Sequence, residues 1–579
     1  MKDKLNYHKY RELKNIYEKK VNRLANIRMI MFIIMIVSFI VKYYYYPLLF
    51  NIVFLLSLVI FFVMVLVHDK CFKVYDYYVK YLSVLDTYLD RKNNNWKNFQ
   101  DKGSDFLDDK KSYLSDLDIL GDCSLFQYLS VCKTLGGREK LVNKLSNMDF
   151  DKDELYQNQE LVEDLVRDVD FCIKFQVMIN SYEGMDIHLT KQLKLFDNGI
   201  GNREKDFLIG IGASIICISL FIMGCLGIIP LAYFYGMFFF NLLISFLYAY
   251  IFKEDFMCLE KILKYYGKLT SVFELIGNYS GTSLKMKKIC KGMKKGLEDI
   301  SKLRELENIN SLRNNLLSNF LLNGFGCLNL FVMYKYSLFL NKSFSGLENN
   351  IKQIEELEAM ISLATIGIVK NDKCMPVISE RIGLNFVELK HPLIDENVCV
   401  SNSFSGKAGV NIITGSNMGG KTTFLRTIGI NLILMQAGTY VCANNLESSY
   451  FKIFTSMRVM DNIEKGISTF YGELLRIRDM IEYTNNGNML VLVDEIFKGT
   501  NYNDRMYGAK EVVNKLNNKH TVAFITTHDF ELCESNGVKN YHVKEDYEGD
   551  KIVFDYKIRD GKCSSTNAKY LMKKLGIID

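Results

Sequence analysis

Residues 415–422 carry the residue types and spacing of a phosphate-binding loop. They read Gly-Ser-Asn-Met-Gly-Gly-Lys-Thr and fit the pattern G-x-x-x-x-G-K-S/T. Because glycine has no Cβ, backbone N–H groups can close around a phosphate, and the following helix adds the positive end of its dipole. Lys421 would reach the β- and γ-phosphates of a nucleotide, and the Thr422 hydroxyl would bind Mg²⁺. A glycine-rich surface turn is the alternative for this pattern alone. The predicted nucleotide-binding residues of the loop are Gly415, Ser416, Asn417, Met418, Gly419, Gly420, Lys421, Thr422 and Thr423.

Two later apolar runs end in polar side chains that suit the same chemistry. Asp494 and Glu495 follow the run 489–493, and His528 follows the run 521–525 after two threonines. Buried parallel strands deliver such side chains to the C-terminal edge of a sheet, where ligands bind. Asp494 would hold Mg²⁺ through water, Glu495 would act as general base on the attacking water, and His528 would sense the γ-phosphate. A solvated turn or a hydrogen-bonded histidine explains each end separately, whereas the three ends together predict ATP binding and hydrolysis.

These groups need a particular set of elements to bring them together. The run 410–414 predicts a strand before the loop, and residues 422–434 predict the helix after it. With the two later strands, this order predicts an α/β P-loop NTPase in the C-terminal part of the chain.

The same segments resemble the MutS family of DNA mismatch repair ATPases. Residues 417–421 match the Asn-Met-Gly-Gly-Lys of its phosphate loop, and residues 466–470 resemble its Ser-Thr-Phe signature. Residues 494–500 resemble its Asp-Glu-x-x-x-Gly-Thr segment, and Thr527-His528 resembles its histidine switch. His391-Pro392 and Val400-Ser401-Asn402 match the entry to the family's ATPase domain, and Tyr556-Lys557 with Gly561 and Ser565 resembles its closing strand and turn. A weaker likeness, to the family's helical core domain, covers residues 124–165.

The resemblance implies an ABC/MutS-type ATPase that uses ATP and Mg²⁺ and works as a dimer. Ser468 of one subunit would then face the nucleotide of the other, although a plain helix cap with Glu473 nearby is the alternative. The family also implies a mismatch repair-like, DNA-binding function. Several features depart from the family pattern: the Phe-x-Glu mismatch-reading motif has no counterpart, Cys442 stands where the family usually has proline, and the sequence ends at Asp579 without the C-terminal dimerisation helices.

Composition and charge place the protein in the cytoplasm-facing, membrane-associated class. A hydrophobic fraction of 49% excludes a disordered chain, and the 14 cysteines include no C-x-x-C pair, which indicates reduced thiols. Residues 1–28 hold nine Lys/Arg and three Asp/Glu, a surplus of six that equals the net charge of +6 of the whole chain.

Two long apolar stretches predict four transmembrane helices. Lys42 is the only charge in residues 29–67, and residues 207–252 contain none. We expect two hairpins, with Tyr43–Tyr46 at the far interface and Lys42 reaching out to it; buried core helices are the alternative. The basic N-terminus predicts that both termini face the cytoplasm, in a bacterial inner membrane.

The predicted organisation has six parts. They are a basic cytoplasmic segment at 1–28, hairpin 1 at 29–67, a helical MutS-core-like region at 68–206, hairpin 2 at 207–252, an all-α lever region at 253–380 and the ATPase domain at 381–579. Residues 314–340 predict one helix packed against the ATPase and no fifth span. Six lysines between Lys285 and Lys295 would contact lipid headgroups, nucleic-acid phosphates or only solvent.

The leading function is a membrane-anchored ATPase whose catalytic residues are Glu495, His528 and Lys421 and whose metal ligands are Thr422 and Asp494. Its partners would be a second copy, the lipid bilayer and DNA. The alternatives are an ATP-switched membrane scaffold for a protein partner and a transporter-like ATPase. The absence of a Leu-Ser-Gly-Gly-Gln signature and of intramembrane Asp, Glu or Arg argues against the transporter.

Overall fold

The computed structural model describes residues 6–41, 44, 47–108, 111–149, 151–180, 203–458, 469–497, 501–548 and 551–563. The chain divides into two compact units. Unit 1 contains residues 1–131, 138–180 and 359–579, and unit 2 contains residues 132–137 and 181–358. The predicted ATPase segments lie in unit 1.

The main sheet of unit 1 has six strands in the order β10-β9-β4-β8-β7-β6. Strands β4, β6, β7, β8 and β9 are parallel, whereas β10 runs antiparallel to β9. The strands are β4 Gly409–Thr414, β6 Lys452–Ser456, β7 Met489–Asp494, β8 Thr521–Thr526, β9 Lys539–Glu548 and β10 Lys551–Asp560. The strands predicted at 410–414, 489–493 and 521–525 correspond to β4, β7 and β8, which are three adjacent strands in the interior of the sheet.

Helices cover both faces of this sheet, which explains why its central strands are continuously apolar. Helix α15, Lys421–Gln436, lies on one face, where Gly429 packs against Leu492. Helices α16, Thr469–Tyr483, and α17, Tyr502–Leu516, cover the other face through a buried cluster that includes Val491 and Ile525. Alternate residues of each strand thus enter two separate cores.

A smaller sheet contains three strands that precede the phosphate loop in sequence and one strand, β5, that follows it. Its strand order is β1-β5-β2-β3, and β2 pairs antiparallel with both β3 and β5. The strands are β1 Val377–Ile378, β2 Gly383–Leu389, β3 Asn402–Lys407 and β5 Asn445–Ser448. Phe404 of β3 packs against Phe524 of β8, with 5.0 Å between ring centroids, so the small sheet caps the main one.

The rest of unit 1 is helical. Tyr81, Tyr88, Ile173 and Val369 form part of a buried cluster, and the Tyr81 hydroxyl donates to Asp170 Oδ1 over 2.7 Å. The helices are α1 Tyr7–Val41, α2 Pro47–Lys92, α3 Ser112–Asp116, α4 Leu125–Leu129, α5 Leu135–Ser146, α6 Lys152–Arg167 and α7 Val169–Ile179, with α5 beginning in unit 2. Short 3₁₀ turns occur at Trp96–Asn98 and Ser104–Phe106.

Helices α1 and α2 run antiparallel. Tyr10 stacks on Tyr81 with 3.9 Å between centroids, and Phe39 lies 5.7 Å from Phe54 at the other end of the pair. Helix α1 passes through the predicted boundary at residue 28 without a break, because no Gly or Pro interrupts it. Lys42 and the predicted turn, apart from Tyr44, lie outside the described residues.

In the part of unit 2 that the structure describes, all secondary structure is helical. Its helices are α8 Glu204–Cys225, α9 Ala232–Ile251, α10 Lys253–Gly277, α11 Leu284–Asn314, α12 Leu316–Gly326, α13 Leu328–Phe339 and the first part of α14 Ser345–Val369. Helices α8 and α9 also run antiparallel, since Phe221 packs on Phe234 and the Tyr248 hydroxyl donates to Asp206. A π-helical turn, Leu340–Phe344, connects α13 to α14.

Among the described residues, four helices are long and apolar enough to cross a membrane: α1, α2, α8 and α9. Only 6% of the most apolar window of α1 and of α2 is buried within the protein, against 17% for α8 and 28% for α9. The most apolar windows of these helices are therefore largely unburied, whereas the alternative interpretation, core helices, predicts burial.

The prediction of one helix across residues 314–340 was wrong. Helices α12 and α13 meet there at a bend of 89°, and both belong to unit 2, where they pack against α8 and α9. The bend is at Cys327, whose φ of 47° and ψ of 51° are left-handed and end α12.

Candidate functional site

The turn between β4 and α15 is built around glycines that have no room for a side chain. Gly415 and Gly420 have φ values of +129° and +85°, which only glycine adopts readily. A Cβ on Gly415 or Gly419 would lie 2.4 or 2.5 Å from Val543 Cγ2 of β9. No side chain caps the first turn of α15. This tight backbone turn at a helix N-terminus is the geometry that binds phosphate.

The ammonium group of Lys421 lies inside the turn. Its side chain is almost fully buried, and Nζ donates a hydrogen bond to the Gly415 carbonyl oxygen. The same Nζ is 3.3 Å from His528 Nε2. Polar side chains from the loop after β4 and from the residues after β8 therefore lie next to each other, Lys421 beside His528.

Asp494 is held at the end of β7 by two hydroxyl groups. Thr422 Oγ1 donates to its Oδ2 over 2.9 Å, and Thr526 Oγ1 donates to its Oδ1 over 2.6 Å. Hydroxyl and carboxylate oxygens are the donors that Mg²⁺ prefers. Among the described residues no group of three or more His, Cys, Asp or Glu forms a metal site. A metal here would therefore take its remaining ligands from water and substrate phosphate.

Glu495 and His528 form a pair beside Asp494. Glu495 Oε1 is 3.3 Å from His528 Nε2, and both side chains are partly exposed, at 28% and 46%. The Glu495 N–H donates to the Thr526 carbonyl over 3.2 Å and to its hydroxyl over 3.1 Å. A partly exposed carboxylate beside an imidazole is placed where it can act as a general base.

The chain after β7 is held in a strained conformation. Glu495 and Phe497 have φ values of +58° and +60°, each costing about 1–2 kcal/mol for a residue with a side chain. The buried carboxylate of Glu473 on α16 accepts a hydrogen bond from the Phe497 N–H over 2.6 Å. Glu473 therefore contributes to the conformation that aims Glu495 at the site.

A cavity of about 190 Å³ adjoins the phosphate loop on the side of Gly420. Tyr556 borders it, and a Cβ on Gly420 would lie 3.1 Å from Tyr556 Cδ1. Asn402 donates to the Tyr556 carbonyl over 3.0 Å, which fixes β10 beside β3. The other lining side chains include the apolar Leu389, Ile394, Val398, Val400 and Phe424 and the polar His391, Thr423 and Thr427. A mainly apolar cavity with an aromatic side chain at its border suits a planar heterocycle.

Two aspartates that the sequence analysis did not identify connect the N-terminal helical segment to this domain. Asp116 is fully buried and accepts hydrogen bonds from Thr455 Oγ1 over 2.7 Å, from the N–H groups of Met457 and Arg458 over 3.2 Å each, and from Arg476 Nη1 over 3.0 Å. No local pattern indicates this role, because its partners are about 340 residues away in sequence.

Asp118 extends the contact to the phosphate-loop helix. It accepts from Arg426 Nη1 over 3.1 Å and from Arg458 Nη1 over 2.8 Å. Arg426 is one helical turn after Thr422, and Arg458 directly precedes the segment that contains Ser468. The two aspartates therefore join α15, the end of β6 and α16.

Most predicted site residues thus meet at the ends of β4, β7 and β8. Thr423 instead lines the neighbouring cavity, and Met418 is exposed. Cys442 is buried and its N–H donates to Asn431 Oδ1 over 2.9 Å, a bond that a proline could not make. Ser468, residues 498–500 and Ser565 lie outside the described residues.

Residues 411–574 match the family model described as MutS domain V. Since domain V is the ATPase domain of the MutS family, this match confirms the resemblance predicted from the loop and strand motifs. Residues 411–574 are accordingly similar to the ATPase domain of the MutS family. Members of the family are ATPases that typically act as dimers and bind DNA.

We predict that Asp116→Ala destabilises the end of β6 by about 3 kcal/mol, because it leaves buried donors without an acceptor. Hydrogen exchange of the Lys452–Ser456 amides should show the loss. Asp479→Ala is the matched control, since Asp479 on α16 forms only an exposed pair with Arg478, worth roughly 0–1 kcal/mol. Equal protection in the two variants would contradict the role given to Asp116.

We also predict acid sensitivity at His391. Burial, together with the charges of Arg426 and Lys370, lowers the pKa of His391 to about 4. As pH falls from about 6.5 to 4, the unfolded chain binds a proton here that the folded chain does not, so stability is lost by about 3 kcal/mol. His391→Asn keeps an acceptor for the Leu393 N–H and should weaken the pH dependence of the unfolding temperature. His520→Asn is the control, and the same dependence in wild type and His391→Asn would refute this assignment.

Proposed function

We propose that this protein is a membrane-anchored ATPase of the MutS type that binds and hydrolyses Mg-ATP. The observation that carries the proposal is the convergence of Lys421 and Thr422, Asp494 and Glu495, and His528 at three adjacent strand ends. A phosphate-binding turn, hard oxygen donors and a base occupy one edge of the sheet, which is where open α/β sheets bind ligands.

The residues of the site fit a magnesium nucleotide. Thr422 and Asp494 would hold Mg²⁺, which when bound neutralises charge on the phosphate oxygens. The N–H groups of residues 415–422 would surround the phosphates, and Lys421 would exchange its bond to the Gly415 carbonyl for a phosphate oxygen. The buried position of Lys421 strengthens that interaction, because little water screens it.

Glu495 would take a proton from the attacking water as its oxygen bonds to the γ-phosphorus. The bond from that phosphorus to the bridging oxygen breaks, and its electron pair leaves with ADP. His528, 3.3 Å from the Glu495 carboxylate, would orient the base and contact the γ-phosphate. Glu473 would act indirectly, as a positioning residue for Glu495, because it accepts the hydrogen bond of the Phe497 N–H.

The cavity beside Gly420 would take the adenine ring. It opens next to the phosphate loop, and its mainly apolar lining offers stacking and dispersion contacts to a planar base. Thr423 and Asn402 supply polar atoms at its border. Gly420 belongs to the loop and also lines the cavity, as does Thr423 in the first turn of α15.

Helices α1, α2, α8 and α9 would anchor the protein as two hairpins. The positive charge of residues 1–28 favours a cytoplasmic N-terminus, and two hairpins return the ATPase domain to that side. A bacterial inner membrane is the expected location. ATP binding would draw two ATPase domains together, with Ser468 facing the partner's nucleotide, and hydrolysis would release them.

DNA is the partner that the family suggests, and a second candidate is a scaffold that switches a protein partner with ATP state. The second is favoured by charge: the surplus of the chain lies in its first 28 residues, and Lys285 of the lysine cluster is paired with Glu356 over 2.7 Å. The exposed members of that cluster are Lys287, Lys288, Lys291, Lys294 and Lys295.

We predict that Glu495→Gln binds ATP as wild type does but hydrolyses it roughly 10² to 10⁴ times more slowly, because the amide cannot accept the proton. Turnover and nucleotide binding should be measured on the full chain in lipid nanodiscs. Glu531→Gln is the matched control, since Glu531 is exposed and bonded to Tyr502 and Lys510 away from the site. Undiminished turnover in Glu495→Gln would remove this residue from the mechanism.

The DNA-binding form of the proposal predicts that duplex DNA stimulates turnover. Changing the five exposed lysines to glutamine, with Lys285 retained for its ion pair, should abolish the stimulation. Five phosphate contacts would also lower affinity by roughly 10² to 10³-fold between about 50 and 200 mM salt. Turnover that is indifferent to homoduplex, mismatched and single-stranded DNA would favour the protein-scaffold candidate.

A further inference from the structure

Helices α12 and α13 form a broken element whose two outer ends lie at the same end of the α8–α9 pair. Before α12, Arg313 lies over the Phe256 ring, 3.8 Å from its centroid, just beyond the C-terminus of α9. Near the end of α13, Tyr334 stacks on Phe207, at the start of α8, with 4.1 Å between centroids. The entry and exit of this segment are thus both near the predicted cytoplasmic ends of α8 and α9.

The bend between the two helices lies at mid-length of α8 and α9. Asn241, in the middle of α9, donates to the Gly324 carbonyl over 3.0 Å, and Cys217 of α8 donates to the same oxygen over 3.6 Å. A Cβ on Gly324 would lie 2.2 Å from the Phe238 ring, so glycine is needed for the approach. The α12–α13 segment therefore runs to the middle of the α8–α9 pair, bends there, and runs back to the end of the pair from which it started.

Two backbone groups at the bend, the Gly324 carbonyl and the Asn329 N–H, are paired with buried side chains. Asn323 Oδ1 accepts from the Asn329 N–H over 3.0 Å and from the Ser245 hydroxyl. Asn329 in turn donates to the Ser245 carbonyl over 3.0 Å. The side chains of Asn241, Ser245, Asn323 and Asn329 are at most 1% exposed. Such internal pairing is what a broken helix needs where no water is present, because unsatisfied backbone groups are costly in hydrocarbon.

The outward side of α12 is apolar. Leu316 is 90% and Leu317 is 68% exposed, and Phe320, Leu321 and Leu322 are also exposed. No charged residue occurs between Leu316 and Tyr334. Helices α8 and α9 also expose apolar side chains, for instance Ile215 and Phe239, and are apolar enough to face lipid, and Phe320 of α12 packs against Phe238 of α9.

We propose that residues 316–334 are a re-entrant membrane element that inserts beside α8 and α9, with lipid acyl chains covering the outer face of α12. The inference rests on the proposed membrane anchoring and adds to the four predicted spans a fifth contact with the bilayer. The element would also attach α11 and α14 of the predicted lever region to the membrane. Helix α11 leads into α12, and α13 continues through the π-helical turn into α14.

The test is quenching of tryptophan emission by brominated phospholipids in the full chain. Leu321→Trp and Leu317→Trp report on α12, Phe239→Trp on α9 serves as the lipid-facing benchmark, and Leu284→Trp at the far end of α11 is the control. The native Trp96 is buried in unit 1 and adds the same background to every variant. Bromines near the middle of the acyl chains distinguish insertion from surface contact.

We expect both α12 variants to lose emission to the same fraction as Phe239→Trp, while Leu284→Trp is unaffected. Quenching of Phe239→Trp alone would overturn the re-entrant element and leave the membrane anchoring intact. Absence of quenching in Phe239→Trp and in both α12 variants would overturn the anchoring itself. If one α12 variant misfolds, the other decides, because the two positions lie on different turns of the helix.

Discussion

The site depends on the requirement that β4, β7 and β8 be adjacent and parallel. That arrangement places Asp494 between the hydroxyls of Thr422 and Thr526, so one carboxylate joins the ends of three strands. Shifting β7 by one residue would turn Asp494 to the other face of the sheet and separate all three groups. The buried alternation of Val491 and Leu492 into two different cores prevents that shift. Core packing therefore sets the geometry of the site.

A second buried carboxylate extends that geometry beyond the sheet. Asp116 brings a short N-terminal helix against the end of β6 and against α16, and Asp118 reaches the phosphate-loop helix through Arg426. A burial of this kind is costly unless every partner is present, so the N-terminal segment and the ATPase domain stabilise one another. The strained backbone at Glu495 belongs to the same arrangement, since Glu473 on α16 supports the residues that follow it.

In unit 2 the constraint is different, because a helix is broken at a position surrounded by apolar side chains. At the bend between α12 and α13, the Asn323 side chain accepts from the Asn329 N–H and the Asn241 side chain donates to the Gly324 carbonyl, while Gly324 allows the close approach to Phe238. The asparagine and serine side chains thus complete hydrogen bonding in a buried environment, whereas in unit 1 charged and hydroxyl side chains converge on an edge where His528 and Glu495 are partly exposed to solvent.

The sequence by itself determined the glycine-rich turn, the strands β4, β7 and β8 and the apolar helices, because each of these features is encoded by a short run of neighbouring residues. Glycine spacing predicts the turn at Gly415–Gly420, and an unbroken apolar run ending in Asp494 predicts a buried parallel strand. The family match at 411–574 agrees with that local information. Tertiary structure alone decided which distant groups meet. The partners of Asp116 are about 340 residues away, and the right-angle bend at Cys327 depends on packing against α8 and α9, so neither leaves a periodic signal in its own segment.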